Sequence, residues 1–174
     1  MADRQHGPQA VRPNLPPHYR QVGRVDDTNL ILSICLRCRD GRETRDADLS
    51  SRGGRRLAEA VARGFAGSCA AQRGVGLRGV NCMSQCKRPC TIALSGPGRF
   101  TYLFGDLDPA YHAEDVRAVA AAYAEAELGF LPRGTRPAVL QAGILGRIPP
   151  RGLESNLIEP LHATAPNFKT GEKS

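Results

Sequence analysis

Five cysteines fall into two tight groups, Cys35-x2-Cys38 and Cys82-x3-Cys86-x3-Cys90. Thiolates are soft donors, and at these spacings consecutive turns of a short loop can reach one metal ion or cluster. Four thiolates satisfy zinc and an iron–sulfur centre alike, so spacing alone leaves both open. The run NCMSQCKRPC does not pair two C-x2-C knuckles as zinc ribbons do, and it departs from the C-x4-C-x2-C of plant-type ferredoxins. Four of Cys35, Cys38, Cys82, Cys86 and Cys90 form the candidate ligand set. Cys69 stands outside both groups and is expected to be a bystander thiol in a loop.

The C-x2-C pair also suits thiol–disulfide exchange, in which a helix N-terminus lowers the pKa of the attacking thiol. A long polar loop separates Cys38 from the next expected helix, so that dipole is expected to be missing here.

The groups lie far apart in sequence, and the elements between them must bring them together. Residues 28–34 (TNLILSI) read as a buried strand, 53–65 as a helix with Leu57, Val61 and Phe65 on one face, and 75–80 as a second strand. A strand–helix–strand unit makes its strands parallel, so both end at one edge of the sheet. Cys35 follows the first strand and Cys82 comes just after the second, which brings both groups to an edge where α/β folds hold ligands.

Strands over 90–94 and 99–104 follow, joined as a hairpin by Ser95-Gly96-Pro97-Gly98. Asp108-Pro109 reads as N-cap and first position of a helix bearing Val116, Val119, Ala120 and Tyr123 on one face and ending at Gly129. The order is β-α-β-β-β-α, an α/β sheet covered by helices. Residues 1–26 read as a disordered N-terminal extension, 27–130 as the domain, and 131–174 as a Pro/Gly/Arg-rich C-terminal extension. That extension carries one apolar island, Val139, Leu140, Ile144, Leu145 and Ile148, which either packs on the domain or awaits a partner. Both extensions are expected to be flexible.

With 174 residues and 41% hydrophobic content, one domain is expected. No apolar run is long enough to span a bilayer, and the N-terminal residues show no signal-peptide core. The expected location is the cytoplasm, where thiols stay reduced and favour metal or redox chemistry over disulfides. The net charge is +7, yet no basic helix stands out and aromatic residues make up only 5%, so nucleic-acid binding is not expected. Arg37, Arg39, Arg42, Lys87 and Arg88 lie within or beside the cysteine loops, a basic rim suited to an acidic redox partner. Asp40, Glu43, Asp46 and Asp48 read as a solvated mixed-charge loop, and the histidines are scattered. No nucleophile–base pair, paired carboxylates or phosphate-binding fingerprint is legible, so no catalytic residue is expected.

The β-α-β-β-β-α order, with a cysteine after the first strand and C-x3-C after the second, resembles the thioredoxin-like [2Fe–2S] ferredoxins; the segments LSICLRCRDGRE, CMSQCKRPCTIALSGPGRFTYLFGDLDP and GILGRIPP, within residues 28–150, carry a narrower resemblance inside that group. Within that group the chain is most similar to a bacterial family of predicted metal-binding proteins. The resemblance implies a thioredoxin-like fold and a [2Fe–2S] cluster serving electron transfer or redox sensing. It also implies a link to cobalamin or cobalt metabolism, because such proteins are often encoded beside those genes. Carried over residue by residue, Cys82 and Cys86 match the C-x3-C pair and Cys35 matches the ligand after the first strand. Typical members place their second cysteine further along the first loop, where this chain has none. Cys38 is the substitute and Cys90 the alternative. Pro89 matches the cis-proline position of such folds. A zinc- or cobalt-binding module, structural or metallochaperone-like, is the alternative to a cluster, and a thiol oxidoreductase is the third reading.

Overall fold

A computed structural model describes residues 30–44, 46–159 and 161. The N-terminal extension expected at 1–26 and most of the 151–174 tail lie outside the described residues. The strands are β1 (Leu30–Cys35), β2 (Val75–Val80), β3 (Ile92–Ser95), β4 (Thr101–Phe104) and β5 (Ile144–Ile148). The helices are α1 (Gly53–Arg63), α2 (Cys69–Gln72), α3 (Ala113–Glu125) and α4 (Ala138–Ala142).

One five-stranded sheet runs in the order β2-β1-β3-β4-β5. β2 is parallel to β1, whereas β3 is antiparallel to β1, β4 to β3 and β5 to β4. The first four strands therefore have the thioredoxin-like arrangement expected from the β-α-β-β-β-α order. Alternation explains which face is buried. Leu32 pairs with Leu94 and Leu94 with Tyr102, while Ile34 pairs with Ile92 and Ile92 with Phe104, and all six are fully buried. Leu57 and Val61 of α1, and Val116, Val119, Ala120 and Tyr123 of α3, pack into the same core. Its polar atoms are satisfied: the Tyr123 hydroxyl donates to the Phe100 carbonyl at 2.9 Å, and the Tyr102 hydroxyl accepts from the Leu131 N–H at 2.9 Å.

Several local expectations need correction. The helix expected from Asp108 begins instead at Ala113. The Asp108 carboxylate accepts from the Ala110 N–H at 2.8 Å, and His112 Nδ1 accepts from the Asp108 N–H at 2.8 Å, which closes a separate turn before the helix. α3 also stops at Glu125, and Gly129, with φ +66°, ends a following 3₁₀ turn. Cys69 is not in a loop but opens α2, where the Ser68 hydroxyl accepts from the Ala71 N–H. The apolar island packs on the domain: Leu140 is fully buried, and the residues beyond it form β5. The peptide bond before Pro89 is trans, there being no cis bond among the described residues. No helix among those residues is long and apolar enough to cross a membrane.

Candidate metal centre

The sheet places both cysteine groups at one edge. Cys35 is opposite Val80 where the parallel strands β1 and β2 end, and Cys90 sits two residues before β3. The Cys35 N–H donates to the Thr91 carbonyl at 2.9 Å, and the Leu36 N–H donates to the Val80 carbonyl at 2.8 Å. The first thiol is thus fixed by backbone on both sides. Cys69 lies at the opposite end of the sheet, because α2 leads into the start of β2.

The thiols divide by environment. Cys35, Cys38 and Cys90 are buried, whereas Cys82 and Cys86 are exposed. A hydrogen bond from the Cys38 thiol, opposed by burial and aided by the N–H groups of Arg37, Met83 and Cys38, brings Cys35 down to about 5. The same contact, with burial, pushes Cys38 up, so Cys35 is the first of the pair to ionise. Burial pushes Cys90 up to about 12, with the Asp40 carboxylate adding to it. The second cysteine loop runs between Val80 and Thr91, whose carbonyls accept from the Leu36 and Cys35 N–H groups, so both of its ends lie against the first loop. Within it, Ser84 has φ +58° and donates its N–H to Cys82 Sγ at 3.4 Å.

α1 meets the first cysteine loop directly. The Gly54 N–H donates to the Cys38 carbonyl at 3.0 Å, and a Cβ on Gly54 would lie 2.1 Å from the Cys35 carbonyl oxygen. The helix N-terminus expected to be missing is therefore present, because the loop folds back on itself. Asp40 and Glu43, expected to be solvated, do that folding. Glu43 accepts from the Asp40 N–H at 3.1 Å and the Gly53 N–H at 2.8 Å, and Arg56 pairs with Asp40 at 2.6 Å. Burial raises the Glu43 pKa, but these hydrogen bonds outweigh it and hold the carboxyl at about 2.

The basic rim is partly used within the molecule. Arg42 grips Asp108 through two hydrogen bonds of 3.1 and 2.5 Å, and Arg88 binds Asp106 at 2.6 Å. Each cysteine loop is thereby tied to the connector after β4. Arg37, Arg39 and Lys87 are exposed and form no ion pair among the described residues. Sequence reasoning missed Gly53, Gly54, Asp40, Glu43 and Asp108 as supports of the site. The adjacent glycines at a helix start were the one local signal available.

Among the described residues, no three Cys, His, Asp or Glu side chains gather closely enough to hold a metal ion. The donor chemistry nonetheless suits a thiolate-bound metal. Cys35 and Cys38 share one buried turn, with the Cys38 thiol 4.0 Å from the Thr91 hydroxyl, and the loop carrying Cys82 and Cys86 is anchored beside them at Val80 and Thr91, although its own thiols face solvent.

A family model described as "Protein of unknown function (DUF1636)" matches residues 32–150. The chain belongs to the DUF1636 family. The DUF1636 match begins within β1 and ends just beyond β5, so it spans the whole cysteine-bearing edge and nearly all of the sheet. No curated protein sequence matches the chain. A solved thioredoxin-like [2Fe–2S] ferredoxin from Aquifex aeolicus is similar at 15% identity and a TM-score of 0.44, covering 72% of this chain and 97% of that one.

Proposed function

We propose that the protein holds a [2Fe–2S] cluster on Cys35, Cys38, Cys82 and Cys86 and uses it to carry electrons or sense redox state. The observation that carries this reading is the pair of backbone hydrogen bonds from Cys35 N–H to the Thr91 carbonyl and from Leu36 N–H to the Val80 carbonyl, which set both ends of the second cysteine loop against the first. Hydrogen bonds from N–H groups to cysteine sulfur tune such clusters, and a bound cluster would supply one-electron chemistry. Cys38 is the better fourth ligand because it shares a buried turn with Cys35. Cys90 is fully buried two residues before β3, which suits a core residue. Exposed Arg37, Arg39 and Lys87 suit an acidic redox partner. A cobalt or cobalamin connection rests on the resemblance alone.

Protein purified anaerobically should be red-brown, contain iron and acid-labile sulfide in equal amounts, and give a mixed-valence paramagnetic signal on reduction. Stoichiometric zinc without sulfide, from iron-replete cells, would replace the cluster with a zinc module. One observation favours a second reading, a dithiol oxidoreductase: the first turn of α1 packs against the loop that holds Cys35 and Cys38. Metal-free protein as isolated, with Cys35 and Cys38 cycling between dithiol and disulfide, would favour that reading over both metal sites.

A further inference from the structure

Arg136 is a buried charge that the cysteine edge does not use. It is only 7% exposed, and its guanidinium lies 5.3 Å from the Tyr102 ring centre and 6.0 Å from that of Phe104. Nε and Nη2 both donate to the Leu131 carbonyl, at 3.1 and 2.7 Å, while Nη1 has no protein partner among the described residues. No carboxylate there pairs with it. Arginine is rarely buried this deeply without a counter-charge.

Two more guanidiniums approach it. Arg147 sits opposite Tyr102 in the β4–β5 ladder and stacks over Phe100 at 5.8 Å and Phe130 at 5.3 Å. Arg133 lies in the 3₁₀ turn Arg133–Thr135. Burial lowers the Arg136 pKa most, and the charges of Arg147 and Arg133 lower it further. Neither of these two has an ion-pair partner among the described residues. Three cations held together repel, and an anion between them relieves the repulsion.

The same two rings that carry Arg147 also line an open surface groove of about 440 Å³, together with Leu128, Leu153, Leu157 and Glu127. That volume falls in the range of small-molecule pockets. Phe100 and Phe130 therefore join an apolar slot to a cationic group. Glu127, the one acid in the lining, disfavours a ligand that is negative at both ends. We infer that this part of the molecule, near the start of β4, binds a small amphipathic anion, its carboxylate or phosphate on Arg133, Arg136 and Arg147 and its apolar part in the slot. The inference is independent of the cluster.

Calorimetric titration of the full-length protein with octanoate, octyl phosphate and inorganic phosphate, at fixed ionic strength, tests it. At least one octyl probe should bind saturably and more tightly than inorganic phosphate, and the tighter head group identifies the ligand's acid. Arg133→Gln and Arg147→Gln should each weaken binding by about tenfold, as expected for loss of a charge-assisted contact. Both residues are exposed, and thermal melting checks that the variants fold. Absence of saturable octyl binding, octyl affinity no greater than that of phosphate, or unchanged affinity in the double variant would overturn the inference.

Discussion

Gly54 is the place where α1 and the cysteine loop meet with no room for a methyl group. A Cβ there would lie 2.1 Å from the Cys35 carbonyl oxygen and 3.1 Å from both the Cys35 carbonyl carbon and the Cys38 nitrogen. All three are backbone atoms, held by the Cys35–Thr91 and Gly54–Cys38 hydrogen bonds, so no side chain can swing aside. Gly54→Ala must push the helix and the loop apart. Helix propensity by itself would favour alanine by about 1 kcal/mol. Against that stand an overpacking cost of about 1–3 kcal/mol and about 1 kcal/mol for each of the Gly54–Cys38 and Gly53–Glu43 hydrogen bonds. The net expectation is a loss of about 2–4 kcal/mol. Urea unfolding of the reduced, metal-free chain, followed by circular dichroism, should show a lower midpoint at unchanged slope. Gly67 is the control: a methyl group added there would meet nothing within 4 Å, so Gly67→Ala should stay within about 0.5 kcal/mol of wild type. Equal stability of Gly54→Ala and wild type would refute the contact between α1 and the cysteine loop.

Serine at Cys35, Cys38, Cys82 or Cys86 should abolish the visible absorption of the cluster, whereas Cys90→Ser should keep it while lowering stability; the reverse result for Cys38 and Cys90 would move the fourth ligand to Cys90. Cys69→Ser should leave the spectrum intact, and a bleached variant would mean that the site lies elsewhere. Folding depresses the Glu43 pKa to about 2, so its contribution to stability is complete above the unfolded value and disappears as pH falls towards 2. The stability gap between wild type and Glu43→Gln should therefore be constant above about pH 5 and shrink below it, and a gap independent of pH would contradict this. Charge reversal at Arg37 or Lys87 should slow electron exchange with an acidic partner and reduce its salt dependence without altering the spectrum. Arg88 is a poor choice for that test, since reversal would repel Asp106. Exchange indifferent to salt and to these variants would leave the rim a solvated surface.

The parallel β1-α1-β2 unit was legible because its signals are local and periodic. Val75–Val80 is a strand as expected, and Leu57 and Val61 face the core at helical spacing, while the helix expected to reach 65 stops at Arg63 and Phe65 is buried from the turn beyond it. Parallel pairing then places Cys35 and Cys82 at one edge without further information. The misread features depend on partners far away in sequence. Asp108-Pro109 carries a valid helix-start signal, but its carboxylate is taken by Arg42, 66 residues earlier, and by the turn at Ala110. Asp40 and Glu43 look solvated in a polar stretch, and the bonds that fix them to the returning N-terminus of α1, from the Gly53 N–H and the Arg56 guanidinium, come from 10 and 16 residues away. The fifth strand was hidden because Ile144–Ile148 pairs along an edge and stays partly exposed, which weakens its alternation.

The division among the thiols follows from what the fold can fix by itself. Cys35 is held by the sheet and Cys38 by the first turn of α1, so their positions are set by backbone hydrogen bonds that need no metal. Cys82 and Cys86 lie beyond the end of β2, where no ladder reaches; their loop is anchored at its ends by the Val80 and Thr91 carbonyls, which accept from the Leu36 and Cys35 N–H groups, and the approach of the Met83 N–H lowers the Cys35 pKa. That approach favours the ionised form of Cys35, the form a metal requires. Folding would then supply two thiols at a fixed place, and the two exposed thiols would be recruited on binding. A site of this kind couples loop order to occupancy, so protease protection of residues 81–89 should rise when the centre is loaded. Equal cleavage of loaded and metal-free protein would show that the second loop is fixed by the fold alone.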